Sequence, residues 1–170
     1  MPSILESHQS YSSDPAQAAA ELLSALWDGV LPVDVRQLAR NLGLTVVERH
    51  PDGAEEPFPY SGRFRRALQL IEINGGDAPV RKRFTLAHEL GHYALNHPDA
   101  LRDYPSVFST TAGDPLERAA NHFAASLLMP ADALTKVFQS GEAANLDQLS
   151  VMFGVSKVAM TYRLQHLGLI

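Results

Sequence analysis

The residues best suited to chemistry are His88, Glu89 and His92, in the segment His88-Glu89-Leu90-Gly91-His92. On an α-helix, positions four apart lie about 40° apart around the axis and about 6 Å apart along it. Two imidazoles at that spacing converge on one cation. Glu89 follows the first of them, where its carboxylate can reach a water at the metal without ligating the metal itself. This is the H-E-x-x-H arrangement, in which the imidazoles hold zinc and the carboxylate acts as general base. In a chain with seven histidines the pattern arises by chance in about 1–2% of cases. The plainer alternative is a helix with two core or surface histidines. Gly91 argues against it, because a mid-helix glycine costs about 1 kcal/mol relative to alanine and implies a close approach there.

A catalytic zinc takes three protein ligands and keeps a fourth position open. The chain has no cysteine, so disulfides, thiolate sites and a cysteine nucleophile are excluded, and the third ligand must be His, Asp or Glu. His97 is nearest, but it follows His92 by five residues and lacks the glycine that the six-residue metzincin interval uses. His50 and His166 have no supporting pattern, and His8 lies in a start expected to fray. Glu117 is better placed, 25 residues beyond His92 near the start of the next long helix. Asn121, four residues on, shares its face and can orient a ligand imidazole from outside the ligand set. Asp114-Pro115-Leu116-Glu117 also reads as a capping box with Glu117 at N3, so ligand and cap both stand, ligand ahead. His122 comes next, about 100° off the Glu117–Asn121 face.

The elements that must hold these residues follow from punctuation and periodicity. Asp14-Pro15 opens a helix with Leu22, Leu23, Leu26 and Trp27 grouped for burial. Pro32 to Leu42 reads as a second helix ended by Gly43, and residues 44–48 as a strand. Residues 50–60 read as a loop. SGRF and ALQLIEIN are expected to pair as two strands with Arg65-Arg66 near the turn. The active-site helix is expected from about Val80 to Asn96, stopping before Pro98. After a loop over 98–114, which could also serve as a lid, Asp114-Pro115 caps a helix reaching Met129, Pro130 opens a short one, and two more end the chain. Helices, a small antiparallel sheet, then helices make an α+β fold.

The chain has 170 residues, 45% of them hydrophobic and 19% charged, ordinary values for a soluble domain with a real core. A net charge of −5 removes the cheapest argument for nucleic-acid binding. No apolar run approaches the roughly 18 residues that span a bilayer, so no membrane partner is expected. The opening residues do not read as a signal peptide, which makes cytoplasmic the default.

RFTLAHELGHYALNH (83–97) together with ERAANHFAASLLMP (117–130) resembles the ImmA/IrrE family of metallopeptidases. PVDVRQLARNLGL (32–44), SGRF before a short strand, and the ending LSVMFGVSKVAMTYRLQHLGLI extend the resemblance over roughly residues 15–170. It implies a zincin-like domain over 15–140, after a flexible start at 1–14, and a helix-turn-helix-like subdomain packed on it at 141–170. It further implies His88, His92 and Glu117 as zinc ligands, Glu89 as catalytic base, and Asn121 completing an E-x-x-x-N segment. Ala119 departs from the acid that relatives often carry, with no loss of metal expected. Members of the family are intracellular and cleave helix-turn-helix repressors. They switch on stress responses or mobile-element excision, and some are paired with the repressor like toxin and antitoxin. The same donors accept Mn, Co or Fe as well as zinc.

The mechanism so implied needs a donor to the developing oxyanion, for which Tyr60, Tyr93, Arg118 and His122 are candidates. Packing is the safer reading of Tyr93. A substrate peptide is expected either to add as a strand to the edge of the SGRF/ALQLIEIN sheet or to leave that sheet as mere cover for the helix. In the C-terminal pair, Leu146, Leu149, Phe153 and Val155 are expected in the core, and Ser156 caps a helix carrying Val158, Ala159, Tyr162, Arg163 and Leu167. Lys157, Thr161, Arg163, Gln165 and His166 are the exposed candidates for phosphate contact, too few for direct DNA binding to be expected. The alternative to a peptidase is a DNA- or protein-binding regulator, or a toxin-like partner, with a sensing or non-catalytic metal site.

Overall fold

The structure is a computed structural model that describes residues 10–50, 58–99 and 114–170. Most of the frayed start, of the 50–60 loop and of the 98–114 loop, with His8, therefore lies outside the described residues. Helix α1 (Pro15–Leu26) starts as its sequence dictates: Asp14 accepts from the Gln17 N–H at 2.8 Å and Pro15 fills the first turn, where no N–H is needed. Its buried face is Ala18, Ala19, Leu22 and Leu23. Helix α2 (Val35–Asn41) begins three residues later than Pro32 suggests, because Asp34 is the cap.

Strands β1 (Thr45–Arg49), β2 (Gly62–Arg65) and β3 (Leu70–Asn74) form one sheet in the order β1-β3-β2. The sheet is mixed, which corrects the antiparallel expectation: β2 pairs antiparallel with β3, but β1 pairs parallel with it. Local pattern specifies strands, whereas the direction of pairing depends on which edge of β3 the chain reaches after residues 50–61. The segment ALQLIEIN also divides. Arg66–Leu68 form a 3-10 turn, Gln69 turns in the left-handed region at φ 48°, and only then does β3 begin. Ile71 and Ile73 face the core. Glu72, on the other face and 1% exposed, is bridged by Arg63 at 2.7 Å and Arg49 at 3.2 Å. Two partners are what a buried carboxylate requires.

Helix α3 (Pro79–Ala94) crosses the centre of the molecule between the sheet and α4 (Pro115–Leu128). Residues 85–92 are all buried, including the polar Thr85, His88, Glu89 and His92, so the helix has no solvent face over that stretch. Its Arg83 Nε donates to the Gly154 carbonyl at 3.0 Å and its Nη2 to the Val33 carbonyl at 3.0 Å. This ties α3 to the C-terminal helices and to the loop before α2. Burial lowers the Arg83 pKa from its usual value, with Asp34 opposing.

Helices α5 (Ala131–Ser140), α6 (Leu146–Phe153) and α7 (Lys157–His166) complete the fold. Leu149, Phe153, Val155, Met160 and Leu164 join the same core cluster as α1 and α3. Ser156 caps α7 by accepting from Ala159 at 3.1 Å. Two expectations change here. Leu146 is only half-buried and packs against the core from its edge. Arg163 is buried rather than offered to solvent, and its Nε donates to the Met129 carbonyl at 3.1 Å. The face of α7 turned inward is Met160, Arg163 and Leu164, which leaves Val158 and Tyr162 outside at 64% and 69% exposure. The supply of cations for phosphate contact is thereby thinner still, since Lys157 pairs with Asp147 at 2.5 Å.

His122 on α4 lines a cavity of about 870 Å³ between α3, α4 and α7, with Phe84, Met129, Val155, Tyr162 and His166. Its Nε2 is buried without a hydrogen-bond partner among the described residues, and its ring lies 5.3 Å from that of His166. Burial, then His166 and Arg163, push the imidazole below its usual pKa, and Asp14 opposes them. The unfolded chain therefore takes up this proton first. The contribution to stability is complete above about pH 6.5 and is lost as pH falls from there through the lowered value. In metal-free protein, His122→Leu is expected to flatten the fall of the thermal midpoint over that window. An unchanged slope would assign the acid sensitivity to other groups.

Candidate metal centre

His88 and His92 leave α3 on one face, as their spacing requires, and their Nε2 atoms lie 3.0 Å apart. Glu117, in the first turn of α4, brings Oε2 to 3.0 Å from His88 Nε2 and Oε1 to 3.4 Å from His92 Nε2. These three side chains can hold a metal ion: one donor atom from each lies within 4.8 Å of the others, and all three residues are buried. A tetrahedral ion with ligands at about 2.0–2.1 Å spaces its donor atoms about 3.3 Å apart. The observed separations of 3.0 and 3.4 Å therefore suit a zinc-sized cation without rearrangement.

Asp114 caps α4 by accepting from the Leu116 N–H at 2.8 Å, while the Glu117 carboxylate lies against the histidines. Gly91 explains how α4 comes so close. A Cβ at Gly91 would meet Phe123 Cδ1 at 3.0 Å and the Ala120 backbone at 3.3 Å. The close approach implied by a mid-helix glycine is thus the α3–α4 contact itself.

The outward nitrogens are also engaged. His88 Nδ1 is 2.8 Å from Asn121 Oδ1, which can only accept, so Nδ1 carries the proton of that bond. His92 Nδ1 is 2.8 Å from His97 Nδ1. His97 is thus set behind His92, outside the group of His88, His92 and Glu117 that could hold an ion. His50 packs on Gly75, and His166 lies beside His122, so neither enters the cluster.

Glu89 is 2% exposed, one residue after His88, beneath Gly62 of β2. A Cβ at Gly62 would lie 2.4 Å from Thr85 Cγ2 and 3.1–3.2 Å from the Glu89 side chain. The sequence singles out SGRF as a strand but not its glycine as the space above the carboxylate. An SG pair opening a strand is the signal that was there to use. Gly62→Ala is expected to cost about 1–3 kcal/mol by overpacking and to displace Glu89. Denaturant unfolding reads the first effect. A fully stable variant would show that β2 yields easily.

The four oxyanion-donor candidates separate. Tyr93 packs edge-on against Phe64, with centroids 5.8 Å apart, as expected of a packing residue. Tyr60 sits beside Phe58 and 5.5 Å from the Arg63 guanidinium, which alternates away from the α3 side of β2. His122 faces the cavity described above. Arg118 is exposed on the turn of α4 that carries Glu117.

The chain is similar to known proteins in sequence and in fold. Residues 39–165 match the peptidase M78 family, described as the IrrE N-terminal-like domain. The chain is 33% identical over 159 residues to the radiation response metalloprotease IrrE of Deinococcus deserti, covering 88% of this chain and 53% of that protein. It is 35% identical over 83 residues to the protein of the same name from Deinococcus radiodurans, covering 46% and 24%. It is 30% identical over 100 residues to the metallopeptidase ImmA of Bacillus subtilis, covering 58% and 57%. The chain thus spans about half the length of two of these relatives and about a quarter of the third. Among solved structures, a Mycobacterium tuberculosis transcriptional regulator shares the fold, with a TM-score of 0.60 at 19% identity over 91% of this chain and 47% of that one. With a family match over three quarters of its length and the His88-Glu89-x-x-His92 segment inside it, the chain belongs to the family of IrrE N-terminal-like domains.

Proposed function

We propose that the protein is a zinc-dependent endopeptidase of the cell interior that cleaves a helix-turn-helix repressor and so relieves repression. The observation that carries the proposal is the convergence of His88 Nε2, His92 Nε2 and the Glu117 carboxylate, with Glu89 beside them. Two imidazoles and one carboxylate are the donor set of thermolysin-type catalytic zinc, and they leave a position open. When bound, the ion supplies Lewis acidity, which makes water a nucleophile near neutral pH and polarises the scissile carbonyl.

The remaining steps belong to the chain. Glu89 takes the proton from the attacking water as general base and later gives it to the leaving amine. Its buried position under Gly62 keeps bulk water from competing for that carboxylate. Asn121 and His97 hold the two imidazoles so that no ligand must reorient during turnover. Strand β2 is an edge strand among the described residues, and its Gly62 end lies over Glu89. An extended substrate pairing along β2 would present its backbone to the catalytic carboxylate. Of the four donor candidates, Arg118 is retained for the oxyanion because it shares a turn with Glu117.

The repressor as substrate rests on the family resemblance, and no helix among the described residues is long and apolar enough to cross a membrane. The reading as a protein-docking module has one observation of its own. Val151, Val158 and Tyr162 are 78%, 64% and 69% exposed on α6 and α7. That surface would serve a peptidase equally well for holding its substrate. Labelling of new protein N-termini in cells carrying the native protein or Glu89→Gln tests the proposal. Cleavage within a helix-turn-helix protein, in the native strain alone, is expected. Identical N-termini in the two strains would leave docking as the function.

A further inference from the structure

The turn that closes α3 also reaches the metal centre. Leu95 ends the helix, and Asn96 follows in the left-handed region at φ 54°. The His97 N–H then donates to the His92 carbonyl at 3.0 Å, and the Asn96 N–H to the Tyr93 carbonyl at 3.1 Å. This pair of bonds is the Schellman motif, and it brings the side chain at the sixth position against that at the first. Such turns usually carry an apolar contact there. In this protein both residues are histidines, His92 and His97, and both are buried. Their Nδ1 atoms are 2.8 Å apart and their ring centroids 5.0 Å apart.

Arg66 holds this turn from the sheet side. Its Nη2 donates to the carbonyls of His92 at 3.3 Å and His97 at 3.1 Å. Its own N–H donates to Asp99 Oδ2 at 3.1 Å, just beyond the turn. The backbone that carries His97 is therefore held by the turn's own hydrogen bond and by the Arg66 side chain.

A contact of 2.8 Å between two ring nitrogens requires one proton between them. If His97 Nδ1 donates it, a neutral His92 carries its own proton on Nε2, where it faces Glu117 and has no lone pair for a cation. If His92 Nδ1 donates, Nε2 keeps the lone pair. Only the second arrangement makes a ligand. We infer that His97 is a positioning residue of the metal centre: the helix-ending turn delivers its Nδ1 as acceptor to His92, holding the ring in the orientation and tautomer that leave Nε2 open to the metal. This rests on the metal-binding reading above. Asn121 acts in the same way on His88 from α4. The two ligands are thus oriented by two different devices, one a neighbouring helix and the other the end of their own.

Two substitutions separate the acceptor from the packing. In His97→Asn, Oδ1 stands one bond from Cγ, as Nδ1 does, and can only accept. In His97→Phe the ring stays and the acceptor goes. Zinc affinity is measured by chelator competition at a single pH, and folding by circular dichroism and thermal unfolding of the metal-free proteins. The Phe variant is expected to bind zinc about 10–100-fold more weakly, and the Asn variant within about threefold of native. A Phe variant of native affinity overturns the inference. An Asn variant as weak as the Phe variant also overturns it, because packing would then be what matters. Should the Phe variant not fold, nitrogen-15 spectra of metal-free native protein decide. A proton on His92 Nδ1 is expected, and one on Nε2 overturns the assignment. That spectrum needs no metal, so it is distinct from a native protein that binds no zinc at all, which would sink the metal-binding reading itself.

Discussion

Glu89→Gln is expected to keep one zinc per chain while lowering proteolysis by about 10²–10⁴-fold, the range in which a positioned general base contributes. The expectation follows from where Glu89 stands. It lies on α3 between the two ligand histidines in sequence, yet it is outside the His88–His92–Glu117 cluster of donors. Its removal therefore leaves that donor set whole. Glutamine matches its shape, so the tight space under Gly62 is not disturbed. What changes is the ability to take a proton from water and return it to an amine. Elemental analysis and the rate of cleavage of the substrate, measured on the same preparations, check both halves. A variant that loses zinc would make Glu89 part of the metal site. One that cleaves at the native rate would remove Glu89 from catalysis and force a different base.

The second large effect is expected at Glu117. Glu117→Ala should lose zinc, with affinity falling by more than the roughly 10–100-fold that an outer partner such as Asn121 accounts for. Two imidazoles alone leave the ion two ligands short of the four-coordinate state that catalytic zinc reaches with a water. The fold should persist, because Asp114 caps α4 and the helix is held by Ala120, Phe123, Ala124 and Leu127 in the core. The metal-free variant is even spared a buried carboxylate beside two ring nitrogens. Its thermal midpoint without zinc should therefore equal or exceed that of the native protein, while the added stability that zinc confers on the native protein should vanish. Retention of zinc with native affinity would return Glu117 to a helix-capping role and reopen the search for the third ligand.

Much of the centre is legible locally. The four-residue spacing of His88 and His92, with Glu89 between them, belongs to helix geometry, and the helix is marked by its own ends. Gly91 announces a contact before the contact is known. The caps Asp14, Asp114 and Ser156 are where residue chemistry puts them, because a side-chain oxygen satisfying a first-turn N–H is a matter of three residues. The resemblance strengthens Glu117 and Asn121, which spacing and helix face had already singled out, since two motifs in order carry more than either alone.

Other features depend on partners distant in the chain. Arg163 looks like a surface cation of a reader helix and is instead buried, because the end of α4 presents the Met129 carbonyl to it. The parallel pairing of β1 rests on the path between strands, which no local pattern encodes. Gly62 comes to lie over Glu89 only when β2 is laid across α3. His97 was discounted as a ligand by its spacing, and its place behind His92 comes from the left-handed turn at Asn96 and the grip of Arg66.

The sequence by itself determined which side chains could bind and activate, because a helix converts fixed spacing into a shared face. The tertiary structure alone decided which nitrogens face inward, how closely the Glu117 carboxylate approaches them, and which residues lie behind the imidazoles. Those depend on atoms brought within 3 Å from positions 5 to 33 residues apart, and only packing sets such distances.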